Sequence, residues 1–298
     1  MFKKLRLIKT CAFYNFRLWR GNVRVVTVFV LALILCFLLT DQVIGLVKEQ
    51  GTTIQIAESF IWTFGDSSSI LLSSLLLLLL FSDMPFVTNA TPLFLVRCSR
   101  RIWVLGQLLY IGLATGIYLL FILVSTCALC APYSFVKNIW SKTASILAYS
   151  VEYEGVLPVS LRAMEMTSPF ECVGDVFLLL LLYTLSMVFL MMFFHLWKGQ
   201  LAGIASALAY CAFGVLLNPD YMQAILGLPD ELFYQIRVAF GWISPLNHAT
   251  YSMHSFGYDN LPRLWQSGMI FLGLVGGLTV MTMGIMRRFS FQFKGTDR

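Results

Sequence analysis

The chain has 298 residues, of which 58% are hydrophobic and only 12% are Asp, Glu, Lys or Arg, and its net charge is +6. A soluble domain carries about 25% charged residues, so this composition excludes a soluble globular protein. The apolar runs are continuous rather than alternating, which disfavours a β-barrel. We therefore predict an all-α membrane protein of a single transmembrane domain, residues 1–298. The positive charge indicates basic cytoplasmic loops rather than nucleic-acid binding.

The first 22 residues, MFKKLRLIKTCAFYNFRLWRGN, combine an apolar stripe with basic residues. The apolar residues recur at spacings of three and four: Leu5, Ile8, Ala12, Phe16 and Trp19. This pattern predicts an amphipathic helix that lies in the inner membrane interface. The stretch has no small-residue cleavage site, so it is not interpreted as a signal peptide. Membrane anchoring and the docking of a partner are both open as its role.

Six segments approach the length of about 20 apolar residues that a bilayer requires. They cover residues 23–47, 57–81, 102–129, 176–197, 201–217 and 268–286. The second is interrupted in its outer half by GDSSS, residues 65–69, and the fifth is short and ends at the sequence NPD. Two long segments, 130–175 and 218–267, are expected on the outer side.

The distribution of basic residues predicts the orientation of these spans. If the amino terminus is inside, 15 of the 21 Lys and Arg residues lie in cytoplasmic segments. That bias is what the positive-inside rule expects. We therefore predict that both termini and the loop of residues 82–101 are cytoplasmic.

This loop, within SDMPFVTNATPLFLVRCSRRIW (82–103), is both apolar and basic. Pro85 and Pro92 end the preceding helix, and the next residues can form a short helix. Phe94 and Leu95 would lie on one side of it, and most of the other side would hold Arg97, Arg100 and Arg101. The loop could be held at anionic lipid headgroups, or it could be the docking element for a soluble partner.

The motifs of common enzyme classes are absent from the sequence. There is no P-loop, no H-E-x-x-H and no G-x-S-x-G, so no catalytic residue and no cofactor is predicted. Cys127 and Cys130 form one C-x-x-C at the end of an apolar run and are interpreted as structural. His248 and His254 are interpreted as ordinary residues of an aqueous outer loop. A metal site built on them is the alternative, and no metal is predicted.

Polar residues at membrane depth are the candidates for a transport pathway, because ionisable groups in hydrocarbon usually face protein or water. Asp41 lies in the outer part of the first span, and Asp66 and Ser67 lie in the outer part of the second. Ser73 continues this polarity inward. The alternative is that the two aspartates only mark the ends of spans at the membrane interface.

Two stretches resemble a known family of membrane proteins. LFSDMPFVTNATPLFLVRCSRRIWVLGQLLYI (80–111) and WISPLNHATYSMHSFGY (242–258) resemble the permease subunits of type-2 ABC exporters, which have the type V exporter fold. The first is similar to the family's second-span end, coupling helix and third-span start. The second is similar to the polar stretch before the last span. The arrangement of spans is similar over nearly the whole chain.

The resemblance implies a set of partners. Two copies of a cytoplasmic ABC ATPase subunit would hydrolyse ATP, so that this chain itself is not an enzyme. A second permease chain, identical or paralogous, would complete the pathway in the lipid bilayer of a bacterial plasma membrane. The amino-terminal helix and the 82–101 loop would contact the ATPase, and the coupling residues would be Phe94, Leu95, Arg97, Arg100 and Arg101.

The resemblance also implies a re-entrant outer hairpin within residues 218–249, before the last span. The exported substrate would be amphipathic: a peptide, a drug or a lipid-linked molecule. The 130–175 segment is longer than a simple exporter needs, which leaves the substrate open.

Two other functions remain as alternatives. A secondary transporter would show internal repeats and broken helices near the midplane, and no repeat is found between the halves. A membrane-embedded lipid-modifying enzyme would need a cluster of acid–base groups. Its only candidates are the outer residues Glu152, Glu154, Glu165, Glu171, His248 and His254.

Overall fold

The computed structural model describes residues 2–85, 91–149, 161–227, 229, 232–257 and 259–286. Within these ranges the chain is mostly helical. The helices are α1 (Phe2–Arg17), α2 (Val23–Gln50), α3 (Glu58–Phe64), α4 (Ser67–Phe81), α5 (Thr91–Arg97), α6 (Arg100–Cys130), α7 (Lys142–Tyr149), α8 (Leu161–Met166), α9 (Pro169–Lys198), α10 (Gln200–Leu216), α11 (Pro219–Leu226), α12 (Phe233–Ile243), α13 (Pro245–Ala249) and α14 (Leu264–Ile285). Two short strands, β1 (Ile54–Gln55) and β2 (Ser134–Phe135), pair in parallel.

Four of the described helices are long and apolar enough to cross a membrane: α2, α6, α9 and α14. The pair α3 and α4 passes the same criterion jointly, which raises the number to five. Helix α10 is apolar but only 17 residues long. The predicted class, a helical protein with membrane-spanning character, is therefore confirmed at this level.

The predicted second span, 57–81, is not one continuous helix. Helices α3 and α4 are separated at residues 65 and 66 and meet at an angle of 83°. Asp66 has an extended backbone and caps α4, since its Oδ2 accepts a hydrogen bond of 2.9 Å from the backbone N–H of Ser68. A Cβ at Gly65 would collide with the carbonyl group of Ile61. The sharp turn is thus confined to Gly65 and Asp66, and the three serines of GDSSS form the start of α4.

The helices run between two distinguishable ends. At one, which we call the basic end, Arg24 at the start of α2 pairs with Asp83, just beyond α4. Gln200 at the start of α10 donates a hydrogen bond of 3.1 Å to the same carboxylate. At the other, the strand end, β1 follows α2 and pairs with β2, which follows α6. Successive long helices therefore alternate in direction.

A buried carboxylate holds the strand end together. Glu58, at the start of α3, is fully buried. Its Oε1 accepts from the backbone N–H of Ser141 at 2.7 Å, and its Oε2 accepts from the Ser141 hydroxyl at 2.6 Å. The Gln55 backbone N–H also donates to Oε2, at 3.2 Å. No cation among the described residues pairs with Glu58, so neutral donors alone satisfy it.

Helix α1 is amphipathic, and its apolar side packs against α6. Asn15 is buried and donates through Nδ2 to Oε1 of Gln107 at 2.8 Å. Trp19, just beyond the helix, donates through Nε1 to the Tyr110 hydroxyl at 2.6 Å. The two helices approach closely at Gly106, because a Cβ there would lie 2.5 Å from Cβ of Cys11. This contact between α1 and α6, which we call the α1–α6 seam, therefore requires a residue without a side chain at position 106.

The Gly106→Ala variant should weaken the attachment of α1 to α6, at a cost of about 1–3 kcal/mol for overpacking. The measurement is the thermal midpoint of the purified protein in detergent, together with the rate at which protease cleaves α1. Gly112→Ala on the same helix is the control, because nothing lies within 4 Å of the added Cβ. Equal stability of the two variants would contradict a close-packed seam.

The orientation of the two ends can be measured with single cysteines. Cys98 is only 8% exposed, so Ser99→Cys, at an exposed neighbouring position, is the better probe of the basic end. Asn260→Cys is exposed at the strand end. A membrane-impermeant maleimide added to intact cells should label residue 260 and leave residue 99 unlabelled until the membrane is opened. The reverse pattern would invert the predicted orientation.

Candidate functional site

The first candidate surface is a groove on α1 at the basic end. It has a volume of about 310 Å³, and we call it the basic groove. It is lined by Arg6, Lys9, Thr10, Phe13, Tyr14, Arg17 and Phe94. Three cations therefore surround three aromatic rings on one exposed surface. Such a surface suits a partner that offers carboxylates beside apolar side chains.

The predicted coupling residues of α5 and the start of α6 divide into two groups. Arg97, Arg100 and Arg101 are exposed. Phe94 and Leu95 are half-buried, and the Phe94 ring meets the Tyr14 ring edge-on with centroids 5.1 Å apart. The apolar side of α5 therefore packs onto α1 and the core, and the arginines extend the charge of the basic groove.

The basic groove is attached firmly to α6. Besides the hydrogen bonds of Asn15 and Trp19, the Phe16 ring contacts the ring of Tyr110 at 4.9 Å between centroids. Tyr110 also meets Phe81 of α4, at 6.2 Å. Helix α6 has 31 residues, which corresponds to a length of about 46 Å. A displacement of α1 would therefore be carried along α6 towards the strand end.

The second candidate site is a cavity of about 250 Å³ beside the break between α3 and α4. It is lined mainly by polar side chains from five elements: Asp66, Ser67, Asn218, Pro219, Phe233, Arg237, Asn247, Thr250, Ser252 and Met253. We call it the polar cavity. One carboxylate and one guanidinium group face the same space, so the cavity suits a ligand that carries charged or strongly polar groups.

The structure brings together only two of the four predicted pathway residues. Asp66 and Ser67 line the polar cavity. Asp41 is exposed on α2 and is not among the lining residues. Ser73 is fully buried, and its hydroxyl donates to the carbonyl of Ile70 at 2.9 Å, so it is occupied within its own helix.

Arg237 of α12 was missed by the sequence argument. Its Nη2 makes a long contact of 3.4 Å with the carbonyl oxygen of Ser252, and its Nε is buried without a hydrogen-bond partner. A single cation within a largely apolar helix, FYQIRVAFGWI, was the signal that could have identified it. An arginine with an unsatisfied donor at a cavity wall is available to an anionic ligand group.

His248 and His254 do not lie in an aqueous loop, and that expectation is wrong. The two side chains are 2% and 1% exposed, because α13 and the 3-10 turn at 251–253 pack against α9. Both imidazoles contact the hydroxyl of Ser267 in α14: His248 through Nδ1 at 2.7 Å and His254 through Nε2 at 2.8 Å. Burial lowers the pKa of both, and that of His254 to about 4.

The described residues contain no group of three or more His, Cys, Asp or Glu side chains that could hold a metal ion. All seven cysteines are free thiols, including Cys172 near the start of α9, which is buried. Glu152 and Glu154 lie outside the described residues. Protein-family models, curated proteins and solved structures gave no match to the chain.

The burial of the two histidines should make the fold less stable in mild acid. An unfolded histidine has a pKa near 6.5, whereas that of His254 in the fold is about 4. Between these values the unfolded chain binds more protons, so stability falls as the pH falls, by about 3 kcal/mol over the whole window. The measurement is the thermal midpoint at pH 7 and at pH 4.5. A variant with both His248→Gln and His254→Gln should lose less stability between these two values, because neither its folded nor its unfolded state gains a proton at these positions, and an unchanged dependence on pH would contradict the assignment.

Proposed function

We propose that the protein is the membrane-spanning permease subunit of an ABC exporter and that a separate subunit hydrolyses ATP. The observation that carries this proposal is the exposed basic surface of α1 and α5, which is fixed to a long membrane-type helix. A docking surface for a soluble motor needs both properties: accessible charge and a rigid attachment to the elements that must move. The resemblance of residues 80–111 to a coupling helix and its flanking spans supports the same function.

The mechanism would be mechanical. Closure of two ATPase subunits on ATP would push the basic groove, and α1 would transfer the displacement to α6. Helix α6 packs against α2 and α9, and α3 packs against both α6 and α9. A shift of α6 would therefore move the elements next to the polar cavity. The permease would alternate between two packings, biased by different contacts with the ATPase.

The proposed topology has six spans: α2, the bent pair α3–α4, α6, α9, α10 and α14. Helix α10 would span about 26 Å, slightly less than a typical hydrocarbon core. Helices α11 and α12, which contact each other, would form the re-entrant outer hairpin before the last span. The basic end, and with it both termini, would face the cytoplasm of a bacterial cell.

A second permease chain would pack against the most exposed spans. Only 28% of the most apolar window of α2 and 17% of that of α14 are buried. These faces would contact lipid or the second copy. An amphipathic substrate, such as a peptide, a drug or a lipid-linked molecule, would place its polar group between Asp66 and Arg237 and its apolar part against such faces.

One observation favours a second candidate function, a secondary transporter. Discontinuous helices next to a polar site are common in that class, and the 83° break beside the polar cavity is of this kind. The two functions differ in their source of energy. A secondary transporter needs no ATPase partner, so the experiment that tests for the partner also separates the two.

Purification of the tagged full-length chain from its native membranes should recover an ABC ATPase subunit, identified by mass spectrometry through its P-loop peptide. Replacement of Arg97, Arg100 and Arg101 by Ala should lower that recovery about tenfold, since three interface charges of about 0.5 kcal/mol each total about 1.5 kcal/mol, and about 1.4 kcal/mol corresponds to a factor of ten. ATP hydrolysis by the purified complex should fall in parallel, whereas membrane insertion should be unchanged.

The matched control removes the same charge at the strand end. Lys48, Lys137 and Lys142 are exposed there and are replaced together by Ala. This variant should retain the ATPase. Equal loss from both triple variants would show that net charge rather than docking is responsible. Absence of any ATPase from the wild-type preparation, with proton-driven uptake in vesicles that lack one, would favour the secondary transporter.

A further inference from the structure

The hydrogen bonds of the two buried histidines determine which of their ring nitrogens carry a proton. His248 Nε2 lies 3.0 Å from the carbonyl oxygen of Trp242. His254 Nδ1 lies 3.0 Å from the carbonyl oxygen of Thr250 and 3.2 Å from that of Tyr251. Carbonyl oxygens only accept hydrogen bonds, so each of these ring nitrogens must carry a proton. The backbone thereby sets the tautomer of both imidazoles.

The fixed tautomers leave two acceptors facing one donor. In the neutral state His248 presents a bare Nδ1 to the Ser267 oxygen at 2.7 Å, and His254 presents a bare Nε2 to it at 2.8 Å. The hydroxyl has a single hydrogen and can donate to only one of them. At the other contact, two lone pairs would face each other at hydrogen-bonding distance in a buried site. One additional proton removes this conflict, because the protonated imidazole donates to Oγ and Oγ donates to the other ring.

We propose that His248, Ser267 and His254 form a binding site for one proton, which both imidazoles share through the serine hydroxyl. A hydronium ion of the solvent supplies the proton: one of its O–H bonds breaks, one N–H bond forms, and a water molecule is released. The bound state has one positive charge. Three backbone carbonyl oxygens, those of Trp242, Thr250 and Tyr251, accept from the rings and stabilise this charge. The site does not depend on the presence of an ATPase.

The groups around the site agree with a single bound proton. The elements packed against α13, the 251–253 turn and α14 carry these titratable side chains: Glu171, Cys172, Asp175, Tyr183, His195 and Lys198 on α9; Tyr210 and Cys211 on α10; Tyr234 and Arg237 on α12; Arg100, Arg101, Tyr110, Tyr118, Cys127 and Cys130 on α6; Tyr251 on the turn itself; and Asp66 and Arg263 just before α4 and α14. Among described residues, the charge that acts on His254 is that of His248, which disfavours a second proton. Burial lowers the pKa of both rings and so opposes each proton, whereas the hydrogen-bond conflict at Ser267 favours the first one. The first proton satisfies the network, and the second opposes it.

The proton site lies directly behind the wall of the polar cavity. Asn247 and Thr250 line the cavity, and His248 lies between them on the same short stretch of chain. The bridge to Ser267 attaches this stretch to α14. Loss of the shared proton breaks one of the two contacts, so it loosens the wall. Proton binding and ligand binding in the cavity are therefore linked, and each changes the affinity for the other by the same factor.

The test is a titration of the full-length protein in lipid nanodiscs, labelled with ¹⁵N-histidine and carrying His195→Gln to remove the third imidazole of the chain. The ¹⁵N shifts report which ring nitrogens are protonated. We expect two protonation steps separated by more than about 1 pH unit, as for strongly coupled sites. Between the two steps, three of the four ring nitrogens should carry a proton.

Two variants separate the shared site from two independent histidines. Ser267→Ala removes the common hydroxyl and should weaken binding of the first proton at least about tenfold, a shift of about 1 pH unit. His254→Gln offers an amide N–H to Oγ without an added proton, so His248 should stay neutral through the pH of the first step. This second variant keeps the test decisive if Ser267→Ala does not fold.

Three outcomes would overturn the proposal. In the first, the two imidazoles titrate in one overlapping step. In the second, no proton binds at a pH higher than that of the second step. In the third, both variants show the first step at the same pH as the parent protein. The Ser186→Ala variant is the control, because the Ser186 hydroxyl is also buried but contacts Tyr210 in a different part of the bundle. The ¹⁵N titration of that variant should match that of the parent.

Discussion

The structure depends on one constraint: a polar group inside the bundle must find its partner in the protein, because hydrocarbon offers none. Buried hydroxyls meet it locally, as Thr40, Thr63 and Thr184 do by donating to the carbonyl four residues earlier. Other groups bind residues outside their own helix, and a few buried atoms, such as Arg237 Nε, have no hydrogen-bond partner. Asn15 binds Gln107 across 92 residues of sequence, and the two histidines bind Ser267 of the following helix. These hydrogen bonds determine how the helices are aligned along one another.

The long spans were predictable because an apolar window is a property of the local sequence. Helices α2, α6, α9 and α14 extend the predicted segments by only a few residues, except that α9 begins seven residues earlier, at Pro169. The angle between α3 and α4 at Asp66 was not predictable, because GDSSS indicates only that the helix is interrupted and not at what angle it continues. The sequence also could not separate Ser67, which faces the cavity, from Ser73, which bonds within its helix. That distinction, like the burial of His248, arises from neighbours far away in the chain.

The two candidate sites lie at opposite ends of the bundle. The basic groove offers charge and aromatic surface at one end, and the polar cavity offers a carboxylate and a guanidinium group towards the other. Helix α6 begins beside the first and extends to the strand end, so it is the physical connection between them. A protein that only anchored itself in lipid would need neither the close α1–α6 seam nor a charged cavity beside a broken helix.

The Glu58 carboxylate has a consequence for how the chain is assembled during synthesis. Its main donor, Ser141, is made 83 residues later. Until α6 has crossed the bilayer and delivered that serine to the same side, the carboxylate has only the nearby Gln55 N–H, and an ion so poorly solvated in hydrocarbon costs several kcal/mol. Before that point the side chain either stays in contact with water or takes up a proton, so α3 reaches its final position only after α6 is in place. A single acidic group thus imposes an order on assembly, in which the turn before α3 is completed only after α6.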